Sequence, residues 1–309
     1  MYVRITDKTM KSSAGGIARA CRQGGSSCID TTNGRIYMSP VSVCTRDREI
    51  LGFSFYQAVN ELYANRAKPQ ALMVSAVLPE TYPEEELRRS ISELDRLCTE
   101  NKLMLIPGSL EAAKLEEPSL FLCGYGSVDT VTDYKTKPGA ELICAGSIAK
   151  SGMAYIAQRE RGRLLSRFSE GFISSAQSRL KDFSIEKIAQ AAGDSMLIPI
   201  SAGGIMAALW DLKASFSGFT ADIREIPIYQ EIVEIAEYLE INPYKLRSDG
   251  SALIVTDESE NVLKSLEAAG IYARTIGTIT AGQGGSIKKD DEVSCIARPD
   301  SDEIYRFED

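Results

Sequence analysis

Lys137-Pro138-Gly139-Ala140-Glu141-Leu142-Ile143-Cys144-Ala145-Gly146-Ser147-Ile148 is the stretch from which the fold is read. Pro-Gly sets a turn, and Leu142 to Ala145 is an apolar run of strand length. The small residues after it lead into a helix through Gly152 and Ala157-Gln158-Arg159-Glu160. Upstream, Ala71-Leu72-Met73-Val74-Ser75-Ala76-Val77-Leu78 is a second such strand, closed by Pro79. Pro83-Glu84-Glu85-Glu86 then opens a helix, with proline in the first turn and acids at the positive end of the helix dipole. Leu87, Ile91, Leu94 and Leu97 recur at helical spacing and predict one buried face. Leu103 to Ile106 is expected as a strand stopped by Pro107-Gly108, and Leu120 to Gly124 as another.

Downstream, Gly203-Gly204 precedes a helix with Ile205, Ala208, Leu209 and Leu212 on one face. Ile228, Ile232, Ile235 and Leu239 mark a helix ended by Asn242-Pro243. Ala252 to Val255 is a strand. Val262, Leu263 and Leu266 mark a helix with Gly270 as its left-handed cap, and Ala273 to Gly277 is a further strand. The polar end, rich in Gly, Lys and Asp, is expected as a hairpin or an arm. Strands alternate with single helices, but strands also follow one another directly, so the class is α+β. The expected boundary lies between Pro138-Gly139 and Ser151-Gly152, giving domains 1–148 and 149–309, with Leu142 to Ala145 as the last strand of the first.

Composition excludes several chemistries. The 309 residues hold 35 Lys plus Arg against 43 Asp plus Glu, a net charge of −8, and no histidine. An acidic balance argues against charge-driven binding to nucleic acid or anionic membranes. Without histidine there is no imidazole acid–base relay and no imidazole metal ligand. The seven cysteines form no C-x-x-C pair and read as free thiols. No signal-peptide core and no membrane-length apolar run is found, so a cytoplasmic protein is expected.

Three short pieces could carry chemistry. Ser12-Ser13-Ala14-Gly15-Gly16, ahead of a helix, lets backbone amides approach a phosphate, but taken alone it reads first as a flexible N-terminal loop. Ala58-Val59-Asn60-Glu61-Leu62 lies on a helix expected from about Phe53 to Asn65, where Glu61 offers a hard carboxylate to Mg²⁺ or is simply solvated. Ile200-Ser201-Ala202-Gly203-Gly204 is a strand-to-helix junction whose glycines suit either an anion or tight packing.

In order and spacing these pieces resemble the aminoimidazole ribonucleotide (AIR) synthase superfamily, most of all its hydrogenase maturation factor branch. The resemblance is carried by Lys137 to Glu160, Ala58 to Pro69, Gly203 to Leu212 with Ala207-Ala208-Leu209-Trp210, and Ile228 to Thr280 with Arg247-Ser248-Asp249-Gly250 and Ile276-Gly277-Thr278-Ile279. It implies two domains, a homodimer in which the N-terminal sheets join, and ATP with Mg²⁺ held by aspartates. Carried over by position, phosphate contacts fall at Ser13, Gly15 and Gly16. Nucleotide contacts fall at Asn60, Gly203 and Gly204, and a metal ligand at Glu61.

The departures are systematic. Gly25-Ser26-Ser27 stands for a glycine-aspartate-aspartate run, and Met38-Ser39-Pro40 for a threonine-threonine-aspartate strand end. Pro107-Gly108-Ser109 stands for a glycine-glycine-acid turn, and Pro199 for an aspartate before the second glycine pair. One carboxylate is a poor anchor for the metals that neutralise triphosphate charge. The maturation factor's reactive cysteine is C-terminal, whereas this sequence reads Ile304-Tyr305-Arg306-Phe307-Glu308-Asp309 with Cys295 as the nearest thiol. Three readings follow. One is an ATP-dependent dehydratase, ligase or small-molecule kinase, with Asp30, Asp47 or Glu111 as replacement ligands. Another is a non-catalytic dimeric binding or regulatory protein. The last is a thiol enzyme on Cys21 or Cys28, which have no adjacent lysine.

Overall fold

Period-two alternation builds the first sheet. In the computed structural model, which describes residues 21–23, 26–32, 34–130, 137–179, 182–216, 218–282 and 284–307, the chain divides into two units between residues 132 and 133. The N-terminal unit contains β1 (Cys21–Gln23), β2 (Ser26–Thr31), β3 (Gly34–Cys44), α1 (Arg48–Ala64), β4 (Lys68–Pro79), α2 (Glu84–Glu100), β5 (Met104–Ala113) and β6 (Ser119–Val128). The sheet runs β1-β2-β3-β6-β4-β5. It is antiparallel except for the parallel β4–β5 pair. Val41, Leu72, Val74, Ala76, Leu78, Leu120 and Leu122 point to one face, where Leu51, Phe55, Ala58 and Val59 of α1 and Leu94 and Leu97 of α2 complete the core. Gly124 is a glycine because α1 crosses it closely: a Cβ there would lie 3.1 Å from Leu62 and 3.2 Å from the Ala58 carbonyl. On the opposite face Ile36, Phe121 and Met104 are exposed.

Two boundaries differ from the sequence reading. Helix α1 starts at Arg48 rather than near Phe53, because Asp47 caps it, accepting from the Glu49 and Ile50 amides at 2.8 and 3.4 Å. Strand β5 runs through Pro107-Gly108 instead of stopping there. It is an edge strand, where a missing N–H costs no ladder bond, and a register shift opposite Val74 to Ala76 absorbs the irregularity. Pro107-Gly108-Ser109 is therefore strand rather than turn, and Met38-Ser39-Pro40 lies inside β3 rather than at its end.

The C-terminal unit contains β7 (Glu141–Ala145), α3 (Lys150–Arg159), α4 (Arg161–Leu164), α5 (Glu170–Arg179), α6 (Glu186–Ala191), β8 (Met196–Ile200), α7 (Gly204–Ser215), β9 (Gly218–Asp222) and α8 (Gln230–Leu239). They are followed by β10 (Ser251–Thr256), α9 (Ser259–Ala268), β11 (Ala273–Thr280), β12 (Gly284–Lys289) and β13 (Glu292–Cys295). The sheet order is β13-β12-β9-β11-β7-β10-β8. Strand β7, expected to close the first domain, instead pairs with β10 and β11 in this second sheet. It is buried on both faces, so it needs partners on both sides and cover above and below, which a domain-terminal edge would not supply. Leu142, Cys144, Leu253 and Val255 meet Ile205, Ala208, Leu209 and Leu212 of α7. Gly270 caps α9 as expected at φ +73°, with the paired bonds Gly270 N–H to Glu267 and Ile271 N–H to Leu266. The polar end forms the β12–β13 hairpin, then a segment that returns to the unit through a 3-10 turn at Glu303–Arg306. Among the described residues no helix is long and apolar enough to cross a membrane.

Candidate functional site

The expected phosphate contacts Ser13, Gly15 and Gly16 lie outside the described residues. Asn60 and Glu61 sit in the second half of α1, with Asn60 buried and Glu61 half-buried. The structure does not gather the replacement acids around them. Asp47 is engaged as the cap of α1. Asp30 accepts from Arg35 Nε at 2.6 Å, and Glu111 is exposed on β5. Among the described residues no three Cys, Asp or Glu side chains come close enough to hold a metal ion. Among the described residues Glu61 is therefore not joined by two further acids into an all-protein cation site. The Ser39 hydroxyl, on the covered face of β3, is buried without a hydrogen-bond partner.

The exposed face of the first sheet carries a cleft of about 610 Å³. Met73, Ile106 and Tyr125 line it together with Arg35, Gln70 and Asp129. The Tyr125 hydroxyl donates to the Met73 sulfur at 3.8 Å, and Gln70 donates to Ser127 at 2.8 Å. The composition of this face is that of a surface suited to cover, with a polar margin.

The second glycine pair is well defined. Gly203 caps α7 at φ +79° and Gly204 follows at φ +62°, left-handed conformations that glycine adopts without Cβ strain. The cap residue has no side chain to close the helix. The Gly203 N–H instead donates to Asp302 Oδ2 at 2.6 Å, from a residue 99 positions further along. Asp302 Oδ1 accepts from the Arg247 and Ile304 amides at 3.2 and 3.0 Å. Burial pushes the Asp302 carboxyl above its ordinary pKa, against the downward pull of these amides and Arg247. The amide that the resemblance assigns to a nucleotide is thus occupied by an internal carboxylate.

Beside it lies a buried ion pair. Arg247 Nε donates to Asp249 Oδ2 at 2.7 Å, and the Ser151 hydroxyl donates to the same oxygen at 2.8 Å while accepting from the Asp249 amide. Burial opposes the Arg247 charge, but Asp249 and Asp302 outweigh it, so the guanidinium holds its proton more tightly than usual. Burial lowers the Lys150 pKa, partly offset by Asp182 and Asp249. In sequence, Arg247-Ser248-Asp249-Gly250 reads as a glycine turn only. Asp302 was not singled out, because nothing local links it to Gly203.

Two of the thiols are deeply buried. Burial raises Cys98 to about 11 and Cys144 to about 12. Cys21 and Cys28 stand opposite each other in the β1–β2 register.

Residues 137–290 match the family of AIR synthase related proteins, C-terminal domain. A protein of Methanocaldococcus jannaschii named for hydrogenase expression or formation is 26% identical over 242 residues, spanning 74% of this chain and 70% of that protein. A carbamoyl dehydratase HypE of Rhizobium leguminosarum bv. viciae is 24% identical over 235 residues, spanning 72% of this chain and 66% of that protein. Among solved structures, a hydrogenase maturation protein HypE in complex with ATP superposes with a TM-score of 0.68 at 17% identity, covering 94% of this chain and 90% of that one.

Proposed function

This chain belongs to the AIR synthase superfamily, on its hydrogenase maturation branch, and from that premise we propose that it is a cytoplasmic, homodimeric nucleotide-binding protein whose metal-assisted chemistry is lost. It acts through binding or regulation rather than as a dehydratase or kinase. Likeness of fold to an ATP-bound relative supports nucleotide affinity. One observation carries the loss of metal chemistry: the acids that could have joined Glu61 serve the fold, Asp47 as a helix cap and Asp30 in its pair with Arg35.

The test is the melting temperature with ATP, with and without Mg²⁺. A ligand that binds the native state alone must raise it. Equal rises with and without Mg²⁺, unchanged in Glu61→Ala, are expected. No rise at millimolar ATP sinks the nucleotide reading. A Mg²⁺-dependent rise abolished by Glu61→Ala restores an active metal site.

The apolar exposed face of the first sheet supports the homodimer, because Ile36, Phe121 and Met104 stay uncovered on the isolated chain. Phe121→Glu places a charge in the middle of that face. It is expected to turn a dimer into a monomer in sedimentation without loss of secondary structure. A wild-type chain that sediments as a monomer rules the dimer out.

A further inference from the structure

Lys150 opens α3, and the backbone around it is pinned at three points. The Ala149 amide donates to the Ser248 hydroxyl at 2.7 Å, and the Gly152 amide to the Arg247 carbonyl at 3.1 Å. The Ser151 hydroxyl donates to Asp249 at 2.8 Å. From this fixed origin the Lys150 side chain ends beside Gly250, with Nζ 3.5 Å from the Asp182 carbonyl oxygen. Gly250, at φ +84°, leaves the room for it. A Cβ there would lie 3.0 Å from Lys150 Nζ, 2.7 Å from the Asp182 carbonyl oxygen and 3.1 Å from Phe183 Cα. The nitrogen thus occupies a niche between Gly250 and the 182–183 backbone, while part of the side chain stays open to solvent.

This niche suits a nitrogen with one proton better than one with three. An ammonium carries three donors. Among the described residues its acceptor is the single Asp182 carbonyl, at the long end of hydrogen bonding, and no carboxylate lies within ion-pairing distance. The Asp182 and Asp249 carboxylates act on it only through space, and Asp249 is already bonded to Arg247. The positive end of α3 also opposes a cation at its first residue. Burial lowers the pKa of this amine against the pull of the two carboxylates, so more of it is free base than at an exposed lysine. The free base is the nucleophilic form.

We propose that Lys150 is an acylation site, its amine accepting the acyl group of a small acyl phosphate. The amine lone pair attacks the acyl carbon. A C–N bond forms, and the bond from that carbon to the phosphate oxygen breaks. Phosphate leaves with the electron pair, and the surplus amine proton goes to solvent. The product is a neutral amide with one N–H, matched to the one carbonyl acceptor of the niche. Alkylation would keep the charge, whereas acylation removes it. No nucleotide enters this inference, so it stands or falls apart from the nucleotide reading.

The test treats the full chain with acetyl phosphate over a pH series and reads acetylation at each lysine by mass spectrometry. Lys102 and Lys187, both exposed, are the references. The ratio of the Lys150 rate to theirs cancels differences in access. It is expected to fall several-fold from neutral to alkaline pH, because the references become free base only there. Asp182→Asn removes one of the two carboxylates that favour the ammonium and keeps an oxygen for the Ser184 amide. It is expected to raise the neutral-pH ratio further.

A ratio that stays constant with pH, or a Lys150 left unmodified while the references react, overturns the acylation site. So does a ratio that Asp182→Asn leaves unchanged. A second readout tests the fit of the product. The full chain made with acetyl-lysine at position 150 is expected to melt at or above the temperature of the unmodified chain. A clear drop overturns the match between one donor and one acceptor.

Discussion

Arg247→Ala lowers the stability of the C-terminal unit by about 3–5 kcal/mol, the usual cost of removing one member of a buried ion pair. Arg247 and Asp249 side chains are 4% and 0% exposed, and their Nε–Oδ2 contact is 2.7 Å. Truncating the guanidinium leaves Asp249 buried without the cation that is hydrogen-bonded to it, keeping the Ser151 hydroxyl and the field of Lys150. Urea unfolding measures the loss. A melting curve is expected to fall by roughly 6–20 °C, at about 2–4 °C per kcal/mol for a unit of this size. The pair Arg247→Met with Asp249→Leu removes both charges and is expected to recover most of the loss, since well-packed apolar replacements of buried pairs are often neutral. A double variant as unstable as the single one would show that Arg247 supports the turn by shape rather than by charge.

Gly204→Ala is expected to be the most damaging single methyl in the glycine junction. Its φ of +62° costs an L-residue about 1–2 kcal/mol. Its Cβ would also lie 2.6 Å from the Tyr244 carbonyl oxygen and 2.7 Å from that of Leu246, where only backbone can yield. Overpacking of this kind adds about 1–3 kcal/mol. Gly203→Ala meets a side chain instead, the Ala207 methyl at 2.9 Å. It should therefore cost mainly the backbone conformation. Equal midpoints for the two variants in urea unfolding would show that the start of α7 moves freely against the 243–246 turn. A larger loss at Gly204 shows that the junction is glycine for close backbone approach, not for ligand access alone.

Local features of the fold were legible. The spacing of Leu87, Ile91, Leu94 and Leu97 predicted α2, and Pro83 with three acids predicted its start within a residue. Gly270 was recognised as a cap from its place after α9. These depend on neighbours three or four residues away, which the chain order displays. The start of α1 at Arg48 was missed although Asp47 is an ordinary capping residue, because the apolar run beyond it drew the boundary later. The continuation of β5 through Pro107 was hidden for another reason. Whether proline ends a strand depends on whether that strand is an edge, and edge position belongs to the sheet.

The candidate site divides along the same line. The acid-poor positions were visible by inspection: Ser26-Ser27, Met38-Ser39-Pro40, Ser109 and Pro199 hold no carboxylate wherever they fold. That Asp30 pairs with Arg35 and Asp47 caps α1 was not visible, since each could have been a ligand until the fold engaged it. Sequence by itself determined the α+β class, the helical faces, the glycine junction at 203–204 and the absence of imidazole chemistry. All of these follow from residue type and near spacing. Tertiary structure alone decided that Leu142 to Ala145 belongs to the second sheet and that Ser151 meets Asp249 across 98 positions. It alone decided that Asp302 closes Gly203 across 99. Those outcomes rest on bonds between groups far apart along the chain. Such bonds form only where burial removes competing water and leaves each amide and carboxylate one partner to find.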